Sequence, residues 1–145
     1  RPFWRRASVK AFFDSSAFAK RYVEEEGSAV VDEICMAADH LGLSVICLPE
    51  IISALNRRLR ERHVTREQYA LAKQRLVEDI RDADIINMAP EVISQSLVML
   101  ETVPLRAMDA LHLASARVWG AELFVSADRL QVKGAERFQL KAKLI

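Results

Sequence analysis

Short apolar runs that alternate with helix-patterned segments constrain this fold more than any other feature of the sequence. Each run is bounded by polar turn residues, which is typical of buried strands in an α/β protein. Helical segments separate the first four runs, and a fifth near the end of the chain has the alternation of an edge strand. This order predicts a mostly parallel sheet covered on both faces. The runs are residues 9–13, 43–48, 84–88, 123–126 and 138–144.

Capping residues place the helices between these runs. Thr65 and Gln68 have the spacing of a capping box, and Pro90 suits the first position of a helix. Gly42 is expected to end the helix that Ser28 begins, because glycine readily adopts the left-handed conformation at helix ends. The other predicted helices begin at residue 15 or 16, at 49 and at 109.

The length and charge of the chain fit one globular domain. With 145 residues, 51% of them hydrophobic, the chain can bury a single core and is too apolar for disorder throughout. Lys and Arg (21) nearly balance Asp and Glu (20), so net charge does not steer the protein to nucleic acid or membranes. We expect residues 1–8 to be an N-terminal extension, native or added for expression, and residues 9–145 to form a single domain.

Two features indicate a cytoplasmic protein. Cys35 and Cys47 lie in apolar contexts without a CxxC spacing, which favours buried free thiols in a reducing compartment. The sequence also contains neither an apolar stretch of about 20 residues, the length that crosses a membrane, nor a recognisable leader.

Four acidic residues are expected at one edge of the sheet. Asp14 directly follows the first strand, Asp128 follows the fourth, Glu50 opens the helix after the second, and Asp109 opens the small-residue-rich helix. The carboxyl ends of parallel strands meet at one edge, where ligands bind in open α/β sheets. Clustered carboxylates repel each other unless a cation neutralises them, and oxygen-only ligands suit Mg²⁺ or Mn²⁺.

Four sequence blocks around these acids resemble the signature blocks of PIN-domain ribonucleases. The closest likeness is to the VapC toxins of bacterial and archaeal toxin–antitoxin modules. This resemblance implies an α/β/α sandwich with a central, mostly parallel sheet, and it places Asp14, Glu50, Asp109 and Asp128 at the family's acidic metal-binding positions. Ser16 and Ser126 match the hydroxyl positions beside the first and last acids. The blocks are DSSAFAKRY, PEIISAL, MDALHLASA and FVSADRL.

The resemblance implies a metal-dependent endoribonuclease that hydrolyses RNA phosphodiester bonds with Mg²⁺ or Mn²⁺. Asp14, Asp109 and Asp128 are expected to hold the metal, and Glu50 either completes the metal shell or orients the attacking water. Ser16 and Ser126 are expected to orient a carboxylate. The implied partners are an RNA substrate, a small VapB-like antitoxin that inhibits the enzyme, and a second copy of the chain in a homodimer.

Each of these assignments has a simpler alternative. Asp14 could cap the first helix, and Glu50 and Asp109 could merely favour the positive ends of theirs. His112 is predicted to be a helix-packing residue, because no second histidine is suitably placed as a metal ligand. Other basic residues could touch RNA phosphates or simply be solvated: Lys20, Arg21, Arg106 and Arg117. Arg57, Arg58 and Arg60 are interpreted as a solvated helix face, although the resemblance implies that such long helices flank the site and meet the antitoxin.

Two other functions compete with the ribonuclease. The same acids could serve another metal-dependent nuclease that acts on DNA. A non-catalytic PIN-like module that binds nucleic acid or protein is the third possibility. Metal dependence, measured with RNA and DNA side by side, would separate the three.

Overall fold

A five-stranded, all-parallel sheet forms the centre of the computed structural model, which describes residues 9–145. The strand order is β3-β2-β1-β4-β5, so the predicted parallel α/β sheet is confirmed. The predicted extension, residues 1–8, lies outside the described residues. The strands are β1 (Lys10–Phe13), β2 (His40–Ser44), β3 (Asp84–Ile86), β4 (Leu123–Ser126) and β5 (Ala142–Leu144).

Helices cover both faces of this sheet and create two cores. One core contains Phe13, Ile34 and Leu76, and the other contains Phe12 and Leu113. The helices are α1 (Ser15–Phe18), continued by a 3₁₀ turn (Ala19–Arg21), α2 (Ser28–Ala37), α3 (Cys47–Arg60), α4 (Arg66–Asp82), α5 (Pro90–Thr102), α6 (Ala107–Trp119) and α7 (Arg129–Arg137).

The central strand β1 is buried on both faces, which explains its continuous apolar sequence. Successive side chains of a strand point to opposite faces, so Phe12 and Phe13 enter different cores. Phe12 stacks on Phe124 with 5.9 Å between ring centroids, while Phe13 meets Phe18 at 5.7 Å. Asp14, the next residue, therefore starts from a rigid position at the carboxyl edge of the sheet.

Two predictions around the second strand were wrong. Gly42 does not end a helix; it lies within β2, where a Cβ atom would come within 2.7 Å of the Trp119 ring. The absence of a side chain thus permits α6 to approach the sheet closely. The predicted strand at 43–48 instead ends at Ser44, because Cys47 already begins α3 and its apolar side chain is buried.

The C-terminal part of the chain also differs from the prediction. Only Ala142–Leu144 of the predicted strand 138–144 is extended, and α7 precedes it. The Asp128 side chain caps α7 by accepting hydrogen bonds from the backbone N–H groups of Leu130 and Gln131. The capping box of Thr65 and Gln68 is confirmed.

The structure also describes the two cysteines and the length of the apolar helices. Cys35 and Cys47 are both free; Cys47 is buried as predicted, whereas Cys35 is only partly buried. Among residues 9–145, no helix is long and apolar enough to span a membrane.

Candidate metal-binding site at the carboxyl edge of the sheet

Asp14 lies at the centre of the carboxyl edge and is the most enclosed of the predicted acids, with 4% of its surface exposed. Its backbone N–H donates to the carbonyl oxygen of Val125 in β4, at 3.1 Å. Its carboxylate Oδ1 accepts hydrogen bonds from the backbone N–H of Ala17 (3.0 Å) and from the Ser16 hydroxyl (2.7 Å). Asp14 therefore does cap α1, as the simpler alternative required, but the cap uses only part of its bonding capacity.

Ser126 fixes the other oxygen of Asp14. Its hydroxyl donates to Asp14 Oδ2 at 2.5 Å and accepts from the backbone N–H of Asp128 at 3.0 Å. The Ser16 hydroxyl is placed similarly, because it also accepts from the backbone N–H of Ala127 at 3.1 Å. Both predicted hydroxyls thus contact the first acid and tie it to the segment that carries the last one.

The pKa of the Asp14 carboxyl is raised above its usual value because burial disfavours the charged form. The hydrogen bonds from Ser126, Ser16 and Ala17 act in the opposite direction, and so does the charge interaction with His112. All three groups donate to the Asp14 oxygens, and an ionised carboxylate accepts such bonds better than a protonated one, so the surroundings suit the carboxylate form. A neighbouring cation would stabilise that form.

Glu50 lies in the first turn of α3 and contacts His112 of α6. The His112 ring Nε2 is 2.5 Å from Glu50 Oε1, and the Ser15 hydroxyl donates to the same oxygen at 2.8 Å. Partial burial alone would raise the pKa of Glu50, but the hydrogen bonds from His112 and Ser15, with the charges of His112 and Arg106, hold it below its usual value. Glu50 is thereby kept ionised.

His112 has a more specific position than the predicted packing role. Its side chain is 3% exposed, and its bond to a carboxylate requires the proton on Nε2. Nδ1 is buried and has no hydrogen-bond partner among residues 9–145. The sequence contained a signal for this contact, since a histidine on a buried helix face needs a polar partner.

Asp109 and Asp128 share a cation, Arg106. The Arg106 Nε donates to Asp109 Oδ2 at 3.1 Å, and its Nη2 lies 3.8 Å from Asp128 Oδ2. The hydrogen bond and charge of Asp109, followed by the charges of Asp128 and Glu50, raise the pKa of Arg106. The side chain is nevertheless 83% exposed, so water can replace these contacts readily.

The four acids lie at one edge but their carboxylates do not meet at a common point. Within residues 9–145, no group of three or more His, Cys, Asp or Glu side chains is close enough to hold a metal ion. Their oxygens are instead occupied by local donors: two serines and a backbone N–H for Asp14, His112 and Ser15 for Glu50, and Arg106 for Asp109. The side chains of Asp109, Asp128 and Glu50 remain 20%, 32% and 33% exposed.

The PIN domain family model matches residues 11–136, a span that contains all four acids. No curated protein matches the sequence. Among solved structures, a toxin–antitoxin complex from Klebsiella pneumoniae has a TM-score of 0.66 at 17% identity, covering 86% of this chain and 92% of that one. VapC20 from Mycobacterium tuberculosis, described as a Sarcin-Ricin loop cleaving toxin, has a TM-score of 0.66 at 16% identity, covering 86% and 95%. VapBC2 from Rickettsia felis has a TM-score of 0.67 at 11% identity, covering 94% and 99%.

Proposed function

This chain belongs to the PIN domain family, and from that premise we propose that it is a metal-dependent endoribonuclease, the toxin of a VapBC-type pair. One observation carries the proposal: a buried carboxylate, Asp14, is fixed by two serines beside three partly exposed acids. Without a cation, this arrangement gathers negative charge and desolvates part of it, which is unfavourable for folding. Such an arrangement is typical of functional sites.

The donor set fits Mg²⁺ or Mn²⁺, because the acids offer only hard oxygen ligands. Arg106 supports this fit, since a positive group already lies between Asp109 and Asp128. We propose Asp14, Asp109 and Asp128 as the metal ligands. When bound, the ion supplies stabilisation for the charge that develops on the phosphate and makes water more acidic.

Glu50 is proposed to orient the attacking water. His112 and Ser15 occupy its Oε1, and no described residue donates to its Oε2. With its pKa held low, Glu50 stays ionised near neutral pH and accepts a hydrogen bond from water at Oε2. His112 and Ser15 then act as positioning residues for Glu50, and Ser16 and Ser126 act in the same way for Asp14.

The proposed partners are an RNA substrate, a small VapB-like antitoxin and a second copy of the chain, in the cytoplasm. Structures similar to this one include a toxin–antitoxin complex and VapBC2, which supports an antitoxin. VapC20 is described as cleaving the Sarcin-Ricin loop, which supports RNA rather than DNA. Co-expression with an adjacent small reading frame should yield a complex that co-purifies, and gel filtration with light scattering should give a dimeric mass.

The decisive experiment is cleavage of a structured RNA pool with Mg²⁺, Mn²⁺ or EDTA, with matched DNA alongside. We expect cutting of RNA only, only with metal, and a loss greater than about 100-fold in Asp14→Asn, because a ligand should matter more than its supporting residues. Asp39→Asn is the matched control, since Asp39 is exposed and precedes β2 at the opposite edge of the sheet. A folded wild-type protein that cuts neither substrate would favour the binding module, and preferential cutting of DNA would favour the other nuclease.

The domain assignment is tested separately. We propose that residues 9–145 fold as one domain without residues 1–8. A chain that begins at residue 9 should unfold in one cooperative transition with the melting temperature of the full chain. A lower melting temperature or a second transition would refute this assignment.

A further inference from the structure

An open cleft of about 580 Å³ leads away from Glu50 along one side of α3. Its walls include Ile46, Pro49, Arg57, Arg60 and Met108. Glu50 is part of this cleft, so the cleft opens directly onto the proposed hydrolytic site. Its volume is in the usual range for ligand pockets.

The two arginines share one side of α3 with Glu50. Residues seven and ten positions along a helix lie near the same face, about 10 and 15 Å from the starting residue. Arg57 and Arg60 occupy these two positions relative to Glu50. A basic track therefore starts about two helical turns beyond Glu50 and reaches almost three turns beyond it.

Arg57 and Arg60 have charges that are available to a ligand. Both side chains are exposed, and neither makes an ion pair with another residue in the described range 9–145. The intervening Arg58 differs, because its guanidinium pairs with Glu25 at 3.1 Å on another side of the helix. The unpaired arginines are thus those that line the cleft.

A polyanionic substrate needs such a track. The four acids repel phosphates, and the near-neutral net charge of the chain supplies no general attraction. Met108 also lines the cleft and is 43% exposed, so with Pro49 it gives the cleft an apolar surface. Basic side chains and an apolar wall together suit a single nucleic-acid strand, whose phosphates and bases need different neighbours.

We propose that this cleft binds the RNA strand next to the scissile phosphate, with Arg57 and Arg60 holding backbone phosphates. The inference rests on the proposed ribonuclease function and adds the path of the substrate to it. An acidic protein segment would meet the same repulsion from Glu50, and it has no scissile phosphate that must reach the acids, so RNA is the occupant that we propose.

The test is binding of a short fluorescein-labelled single-stranded RNA in EDTA, measured by fluorescence anisotropy at several salt concentrations. The variant Arg57→Ala/Arg60→Ala is compared with Arg58→Ala/Lys73→Ala, which removes the same charge from other surfaces of α3 and α4. We expect the first variant to bind RNA on the order of tenfold more weakly. Its slope of log affinity against log salt should be smaller by about 1.4, or about 0.7 for each lost phosphate contact. The control should bind like wild type.

Cleavage with Mg²⁺ supplies a second readout. Because Arg57 and Arg60 lie away from the reacting atoms, their removal should raise the RNA concentration for half-maximal single-turnover rate and leave the maximum rate within about twofold. Equal RNA binding by the two double variants would refute the proposal that the cleft binds RNA. Cleavage by the wild type would still support the ribonuclease function in that case. Loss of antitoxin binding with RNA binding unchanged would assign the cleft to the antitoxin and also refute the inference. A wild type that neither binds nor cuts RNA would refute both proposals.

Discussion

The two halves of the acidic edge are held in opposite ways. Asp14 is 4% exposed, and three donors, one from the carboxyl end of β4 and two from α1, fix both its oxygens. Asp109 Oδ2 and Asp128 Oδ2 face Arg106 instead, an 83% exposed side chain, while Asp128 Oδ1 caps α7. The difference indicates a division of roles. The buried half, Asp14, fixes where a metal would lie, and the exposed half, Asp109 and Asp128, can exchange Arg106 for a metal ion.

Among the variants that test this difference, the one that lacks the Ser126 hydroxyl should show the largest change, a loss of Mn²⁺ affinity. Ser126→Ala takes a donor from Asp14 and an acceptor from the Asp128 N–H in one step. We expect a 10- to 100-fold loss of Mn²⁺ affinity, about the usual effect of removing a group that orients a ligand. Calorimetric titration measures it. Ser115→Ala is the control, because that buried hydroxyl bonds only within α6. Equal losses in the two variants would show that Ser126 is merely structural.

The His112→Ala variant tests whether Glu50, like Asp14, is held in position by its neighbours. Without the imidazole, burial is left to act on Glu50 with fewer opposing interactions, so its pKa should rise. The acidic limb of the pH–rate profile should move to higher pH, and the rate near neutral pH should fall about tenfold. His112→Gln retains a donor and should restore part of the rate. An unchanged limb in a folded His112→Ala variant would remove His112 from the mechanism.

Asp14→Asn should stabilise the metal-free protein while it abolishes cleavage. Because the pKa of folded Asp14 is raised, its contribution to stability is fully present below the unfolded pKa of about 3.8 and is lost as pH rises through the folded pKa. Asparagine is neutral throughout. The variant should therefore gain about 1 kcal/mol in EDTA at neutral pH, as active-site replacements commonly do, and less near pH 4. Urea unfolding at several pH values measures the difference; a destabilised variant at neutral pH would contradict it.

The features of the acidic edge that depend on the order of the strands and helices along the chain could be predicted from the sequence. The strand runs and the four acids follow from apolar periodicity and from the rule that strand ends share an edge. The helix α7 was missed because Asp128 was interpreted only as an acid, although an aspartate before an amphipathic stretch also indicates a helix cap. The contact of His112 with Glu50 depends on how α6 packs beside α3, which periodicity does not specify.

The smallest change should come from Arg106→Ala. Whether this variant binds Mn²⁺ more tightly or more weakly than the wild type is the most informative result. If the exposed half exchanges its cation, Arg106 competes with the metal for Asp109 and Asp128, and Arg106→Ala should bind Mn²⁺ a few-fold more tightly. Removal of a positive charge elsewhere on α6 should also tighten Mn²⁺ binding, but by less, because salt screens charges that lie farther from the site. Arg117→Ala is the matched control, because Arg117 is at the far end of α6 and its guanidinium faces the Phe138 ring. The difference between the two variants should shrink in high salt, since Arg106 is exposed. Weaker Mn²⁺ binding in Arg106→Ala would mean that this arginine orients the two aspartates rather than competing for them, and the two halves of the edge would then both be preorganised.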